Sequence, residues 1–356
     1  MTPNHVLVAM SGGVDSAVCA HLLQERGFSL TGITMRLWAD QETIPDAPNP
    51  TPDQNCLDAK AVADRLGFPH RSVALGESFR RDVIEPFICA YAEGNTPNPC
   101  VNCNRALKFG KLLTLADDLG CSHLATGHYA KIEQSASGEF LLKKAADTAK
   151  DQSYFLWSID RRALSRILLP LGSYTKNEIR AIAEAHALPC AHRSDSQDIC
   201  FIPDGDYISF IQKHSDLTFP EGNFIAPDGR VLGRHSGIIR YTVGQRKGLG
   251  IALGHPAFVA EKNIVNNTVT LCSDAELYRD RLTAHSLNLL VSHDLCAPLR
   301  VEAKIRYRHT AAPATVERIG EDRISVQFDE PQRAIAAGQS VVLYDTDTVL
   351  GGAIIE

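Results

Sequence analysis

Residues 5 to 16, His-Val-Leu-Val-Ala-Met-Ser-Gly-Gly-Val-Asp-Ser, constrain the fold more than any other stretch. Val6, Leu7, Val8, Ala9 and Met10 form a short apolar run, the pattern of a strand buried on both faces in a parallel sheet. Ser11, Gly12 and Gly13 break that run. Ser16 to Gly27 reads as a helix with Ala17, Val18, Ala20, Leu22 and Leu23 on its apolar face. A strand, a glycine turn and a helix N-terminus together make an anion site: free N–H groups point outward and the helix dipole adds about half a positive charge. Glycines let backbone approach a phosphate with no side chain in the way. Ser11 and Ser16 add hydroxyls. An ordinary strand–turn–helix corner is the competing reading.

No lysine follows the glycines, so this is not the G-x-x-x-x-G-K-[ST] loop. Ser11-Gly12-Gly13-Val14-Asp15-Ser16 resembles instead the S-G-G-x-D-S pyrophosphate loop of enzymes that split ATP into AMP and pyrophosphate.

Strand and helix patterns alternate after this loop. Phe28–Trp38, Arg71–Leu75 and His123–Thr126 read as strands, and 56–66, 79–92 and 105–119 as helices. Residues 40–54, with four prolines, read as a loop. The alternation predicts a parallel sheet covered by helices, with ligands bound outside the carboxyl ends of its strands. Gly12, Met35 and Gly127 fall at or near such ends. Thr175-Lys-Asn-Glu178 is a capping box opening a helix to about His186. From about residue 205 the pattern changes to short apolar runs around turn signals at Asp228-Gly229, Asn266-Asn267, Gly320–Asp322 and Asp345–Thr348. The expected class is therefore α/β with β additions: a nucleotide-binding parallel-sheet domain over 1–205, a small mainly-β central domain over 206–275, and a C-terminal β-barrel over 276–356.

The 356 residues carry a formal net charge of −6, which argues against holding nucleic acid by bulk charge alone. Local basic clusters remain at 143–150, 161–166, 230–247 and 304–308. No apolar run reaches bilayer-spanning length, and Met-Thr-Pro-Asn-His lacks the features of a secretory signal, so a cytoplasmic protein is expected. The ten cysteines of so long a chain do not read as a disulfide framework.

Cys100 and Cys103 form C-x-x-C in Asn98-Pro-Cys-Val-Asn-Cys-Asn104. Zinc would need a second pair, and no other C-x-x-C exists; Cys190 or Cys200 with a histidine is the remaining way to complete a site. A nucleophile is the sharper reading. Cys103 just precedes a helix expected to start near Arg105, where the dipole, Arg105 and Lys108 would favour thiolate. Cys200, between Ile199 and Phe201, reads on its own as a core cysteine.

The loop at Ser11–Ser16, Asn98–Asn104, Gly127-His128-Tyr129, Lys150-Asp151-Gln152-Ser153, Asp198-Ile-Cys200-Phe201 and Tyr241–Gly250 together resemble the bacterial tRNA-specific 2-thiouridylases, in order and over nearly the whole chain. The resemblance implies a pyrophosphate-loop domain, a central domain and a barrel. It implies ATP at Ala9, Met10, Ser11, Gly12, Gly13, Val14, Asp15 and Ser16, with Met35 and Gly127 near the adenosine, and magnesium with the phosphates. It implies that the C2 oxygen of a wobble uridine is adenylated, that Cys200 carries a persulfide from a sulfur-donor protein, and that its terminal sulfur reaches C2 directly or is released as hydrosulfide when Cys103 attacks Cys200 and forms a disulfide. Asn98, Pro99 and Cys100 would face the target base. His128, Lys150, Asp151, Gln152, Arg306, Tyr307 and Gln339 would meet the tRNA. Taken without the resemblance, Lys150–Gln152 is a solvated turn and Arg306-Tyr307 an ordinary barrel strand. Some family members have aspartate where this chain has Cys100, so an acid–base role proposed for that aspartate does not transfer. Two alternatives share the loop: another adenylating pyrophosphatase, which needs no paired cysteines, and a non-catalytic RNA-binding or sulfur-carrier protein, which needs no ATP turnover.

Overall fold

A computed structural model describes residues 2–37, 54–191, 193, 199–292 and 295–356. Most of the proline-rich loop expected at 40–54, and Ser194–Asp198, lie outside these described residues. The chain divides into two compact units. The first comprises Met1–Val83, Cys100–Gln197 and Asp347–Leu350; the second comprises Ile84–Pro99, Asp198–Thr346 and Gly351–Glu356.

The first unit is built on a five-stranded parallel sheet. Its order is His70–Ala74, Ser29–Arg36, Thr2–Ala9, Cys121–Ala125, Ile167–Leu168. The first strand is central, and Val6, Leu7 and Val8 have no exposed surface. A strand covered on both faces needs apolar residues at every position, which is why this run does not alternate. Val8 pairs with Gly32 on one side and Ala125 on the other. The strand order therefore reverses at the first strand, which puts the crevice for a ligand at its carboxyl end. The helix Val14–Glu25 follows directly, its Ala17, Val18, Ala20 and Leu23 fully buried. Gln54–Leu66 and Lys176–Ala185 supply further helices to the same core, which includes Ala59, Val62, Ile179 and Ala183.

The capping box forms as expected: Thr175 Oγ1 accepts from the Glu178 N–H, and the Glu178 carboxylate accepts from the Thr175 N–H. These bonds to the charged form hold the Glu178 carboxyl below its ordinary range.

One expectation fails. The helix expected from Arg105 begins at Pro99: Pro99–Cys103 runs on without a break into a wider π-helical stretch, Asn104–Lys111, and then Leu112–Asp118. Proline at the first helical position has its φ pre-set for the helix and gives up no intrahelical hydrogen bond there. Cys103 is thus inside a helix, with φ −59° and ψ −45°, and not at its start.

The second unit is mainly β. A four-stranded sheet has the order Phe258–Asn263, Thr268–Cys272, Gly222–Ile225, Val231–His235. Its antiparallel pairs close at the turns expected at Asp228-Gly229 and Asn266-Asn267. Six strands then form a closed barrel: Tyr278–Leu289, Ile324–Arg333, Ala312–Arg318, Leu299–Lys304, Ser340–Asp345 and Thr348–Ile355, the last pairing with the first through Ala284 opposite Ile355. The start of the last barrel strand also pairs with Phe140–Lys143, through Thr348 opposite Lys143, and that strand pairs in turn with Lys131–Gln134. Val301, Ala314, Val316, Val326, Val341 and Leu343 fill the barrel. Among the described residues no helix is long and apolar enough to cross a membrane.

Candidate active site

The turn after the first strand is shaped for an anion. Met10 continues the sheet, its N–H donating to the Ile33 carbonyl at 2.8 Å. Gly12 has φ +74°, a left-handed conformation open to glycine. A Cβ there would stand 2.7 Å from the Asn55 carbonyl oxygen. Gly13 is the helix N-cap and has no side chain to satisfy the first N–H groups. Those groups have no intrahelical partner, so they are left for a ligand. Ser16 Oγ ties the turn from within: it accepts from the Ser11 N–H at 3.2 Å and donates to the Gly13 carbonyl at 3.0 Å. Ala9 ends the strand and Val14 is buried beneath the turn. Met35 lies near the end of the neighbouring strand, in register with Val73.

Asp15 is held at the helix start by two donors. Tyr129 Oη and Lys176 Nζ each reach its Oδ1 at 2.7 Å. Lys176 is only 8% exposed, so its charge sits largely out of water and is neutralised on the spot. Arg193 braces the other side, donating to the Gly12 carbonyl at 3.1 Å, to Asn55 Oδ1 and to Asp58. Sequence reading missed Lys176 and Arg193 as partners of the loop. Lys176 is 161 positions from Asp15, and no local signal joins them. Gly127 closes the crevice: a Cβ on it would lie 2.9 Å from the Asp15 carbonyl carbon, so only glycine lets that strand end meet the helix backbone.

His128 is half-buried beside this crevice. Its Nδ1 is 2.7 Å from Thr126 Oγ1 and its Nε2 is 3.3 Å from Lys108 Nζ. An ammonium can only donate, so Nε2 accepts and the proton belongs on Nδ1. Burial first and the Lys108 charge second push the His128 pKa well below its ordinary value, consistent with a neutral ring.

The Lys150–Ser153 turn is an internal brace. Asp151 is buried, and its carboxylate accepts from the Ala145 and Ser153 N–H groups and from Ser153 Oγ. Gln152 exchanges hydrogen bonds with Tyr129, its Oε1 accepting from the Tyr129 N–H while its own N–H donates to the Tyr129 carbonyl. The Lys150 N–H donates to the Asp147 carbonyl. The segment that follows supports the cysteine helix: Asn104 Nδ2 donates to the Phe155 carbonyl at 3.0 Å and Ser158 Oγ to the Val101 carbonyl at 3.3 Å. Tyr129 thus touches both Asp15 and the turn that leads to the helix of Cys103.

The two sulfur candidates differ in setting. Cys103 is 7% exposed. Burial pushes its thiol up, and Lys108 opposes the shift less strongly. The expected thiolate-favouring helix terminus is therefore corrected: the helix starts at Pro99, the dipole argument does not apply at Cys103, and desolvation outweighs the nearby cation. Cys100, in the first turn, is exposed. Cys200 is exposed on a turn closed by the Ile202 N–H to the Ile199 carbonyl at 2.8 Å. The core position expected for it on sequence alone is not found, because its neighbours take the core instead: Phe201 packs edge-on to Phe87 at 5.4 Å, and Ile202 is 1% exposed. All ten cysteines are outside disulfides.

Asn98 and Pro99 belong to the second unit, as do the barrel residues. The loop before them is fastened to a barrel turn. The Thr96 N–H donates to the Ala337 carbonyl at 2.8 Å, and Gln339 Nε2 donates to the Thr96 carbonyl at 2.8 Å. Gly338, at φ +86°, permits this approach; a Cβ there would stand 2.8 Å from Asn95 Cβ. Arg306 Nη1 donates to the Arg333 carbonyl at 2.9 Å, and Lys304 lies over the Tyr307 ring at 5.6 Å.

Comparison with known proteins agrees with this architecture. Residues 4–204 match the tRNA methyl transferase HUP domain family, residues 208–273 the tRNA methyl transferase PRC-barrel domain family, and residues 279–355 the aminomethyltransferase beta-barrel domain family. The chain is 45% identical to the tRNA-specific 2-thiouridylase MnmA of Clostridioides difficile, over 99% of this chain and 98% of that protein. It is 43% identical to that of Lachnoclostridium phytofermentans, over 98% and 99%, and 46% identical to that of Syntrophotalea carbinolica, over 99% and 98%. Glycine turn, parallel sheet, small β domain and barrel follow one another in the family's order, and the chain belongs to the MnmA tRNA-specific 2-thiouridylases, a family of tRNA sulfurtransferase enzymes.

Proposed function

We propose that the chain makes 2-thiouridine at the wobble position of tRNA, activating the base with ATP and supplying sulfur from a cysteine persulfide. The observation that carries this reading is the Gly12-Gly13 turn: an uncapped helix N-terminus at the carboxyl end of the central strand, with Asp15 fixed beside it. ATP binds along Ala9–Ser16, its phosphates on the free N–H groups, with Met35 and Gly127 flanking the adenosine. Asp15 is the acidic side chain of the loop itself. Tied to Tyr129 and Lys176, it orders the loop, and magnesium would accompany the phosphates.

The chemistry follows from the inertness of the base. The C2 oxygen of uridine is urea-like and leaves poorly. Its attack on the α-phosphorus expels pyrophosphate and turns it into part of AMP. The terminal sulfur of a Cys200 persulfide then forms the C2–S bond and AMP leaves. The S–S bond is broken by Cys103, which releases its proton to solvent and forms a disulfide with Cys200; oxidation of the two cysteine sulfurs to the disulfide supplies the two electrons that reduce the sulfane sulfur. The same balance holds if Cys103 attacks first and hydrosulfide reaches C2. A thiol reductant and a persulfide-donor protein restore the enzyme. The exposure of Cys200 suits it to accept sulfur from such a donor. Asn98, Pro99 and Cys100 face the target base, which must leave its stack to react. His128, Lys150, Asp151, Gln152, Arg306, Tyr307 and Gln339 lie along the tRNA; Asp151 and Gln152 act there by shaping the turn that presents Lys150. The domains are those expected at 1–205, 206–275 and 276–356, and the compartment is the cytoplasm.

Nucleoside mass spectrometry of tRNA incubated with the chain, ATP, magnesium and a sulfide source tests the reading. Thiolated wobble uridine with equimolar AMP is expected. AMP formation driven by a carboxylate metabolite and indifferent to tRNA would overturn it.

A further inference from the structure

Away from the glycine turn, the first helix carries a second group of polar side chains. His21 and Glu25 stand one helical turn apart, and His186, the C-cap of the helix Lys176–Ala185, packs against them. The two imidazole rings are 3.9 Å apart, centre to centre. His21 Nε2 is 3.3 Å from Glu25 Oε1, yet it makes no hydrogen bond among the described residues, and the side chain is buried, the residue 7% exposed. Buried polar nitrogens are nearly always satisfied. The Glu25 carboxylate stands at ion-pair distance from His21 Nε2 but outside hydrogen-bond geometry. One ligand atom from each of His21, Glu25 and His186 lies within 4.8 Å of the other two.

We propose that His21, Glu25 and His186 bind a divalent transition-metal ion of the imidazole-preferring class, with zinc the expected occupant. Ligand atoms of a tetrahedral zinc, each at about 2.0–2.1 Å, lie about 3.3 Å from one another. His21 and Glu25 already stand at that spacing. His186 is exposed and has room to turn its ring the remaining distance. Two imidazoles and one carboxylate select zinc, nickel, copper or cobalt over calcium or magnesium, which take oxygen ligands. The ion would give His21 Nε2 the partner it lacks among the described residues. It would also join the first helix to Lys176–Ala185 at a second point. Those helices are already linked near their N-termini by Asp15 and Lys176, so the metal fixes the pair that holds Asp15 in place.

The test uses the untagged full chain, stripped with EDTA and titrated with cobalt(II) in the visible and near-ultraviolet. One ion per chain is expected, with a ligand-field spectrum free of sulfur-to-metal charge transfer. His186→Ala and Glu25→Gln alter exposed side chains and each remove one of the three ligands, so no cobalt binding should be detected at concentrations that saturate the parent protein. Zinc should raise the melting temperature of the parent protein and leave both variants unmoved, while all three melt alike without metal. No cobalt spectrum, or a sulfur-type spectrum that survives in both variants, would overturn the proposal. The readout is binding alone, so its failure leaves the thiolation reading untouched.

Discussion

Around Ser11–Ser16 the anchors are ionic and hydrogen-bonded: Lys176 and Tyr129 on Asp15, Arg193 on Gly12, Ser16 across the turn. Around Cys200 they are apolar: Phe201 against Phe87 and Phe210, and Ile202 in the core. Directional bonds fix atoms to a few tenths of an ångström, which in-line attack on a phosphorus requires. Apolar anchors hold a backbone turn while leaving Cys200 exposed. Under the proposed function, a group that receives sulfur from another protein gains from the second arrangement, and a group that positions a phosphate gains from the first.

Substitutions can break or sharpen that contrast. Cys200→Ser should give the largest effect, abolishing 2-thiouridine while tRNA binding persists in a filter assay; normal product would remove the sulfur role from the apolar turn. Gly12→Ala comes next. The added Cβ meets the Asn55 carbonyl and the positive φ is strained, so tRNA-stimulated AMP release should fall about a hundredfold, with the fold intact by circular dichroism. Lys176→Met leaves Asp15 with one donor. We expect about a tenfold loss of AMP release and about 1–3 kcal/mol of stability in denaturant melts; a loss of stability alone would make the ion pair merely structural.

A subtler contrast concerns pH. The Cys103 thiol is pushed above its ordinary value, so it is protonated at neutral pH and its alkylation should accelerate as pH rises beyond about 9. Lys108→Met removes the charge that opposes this shift and should move the rise to still higher pH, read by timed iodoacetamide labelling and peptide mass spectrometry. A move to lower pH would contradict the opposing role given to the Lys108 charge. Smallest is Gln339→Ala. Losing one side-chain hydrogen bond should cost about 1 kcal/mol and speed hydrogen exchange over residues 95–98, with the barrel strands unchanged.

Local chemistry explains what was readable in the sequence. The strand–glycine–helix corner, the Thr175–Glu178 box and the hairpins at Asp228-Gly229 and Asn266-Asn267 each have their determinants within a few residues, and each formed. The start of the cysteine helix is not legible because Asn98-Pro99 signals a loop as readily as a first helical turn. The electropositive helix end expected at Cys103 depends on that start, whereas burial raises its thiol. Lys176, Tyr129 and Arg193 reach the glycine turn from far along the chain, and only the folded arrangement joins them. The same is true of Asp151 and Gln152, which look like surface residues in sequence and serve as internal hydrogen-bond partners.

Gly338 carries a consequence for how this chain can change. Its Cα lies so close to Asn95 and Thr96 that any larger residue would have to displace the main chain there. Thr96 and Gln339, hydrogen-bonded though 243 positions apart, are therefore not free to drift independently. Divergence at this tight spot has to be concerted, the barrel turn and the strand of loop beneath it altering together. A chimera that exchanges the C-terminal barrel with that of a relative should inherit its partner's residues 95–98 as well.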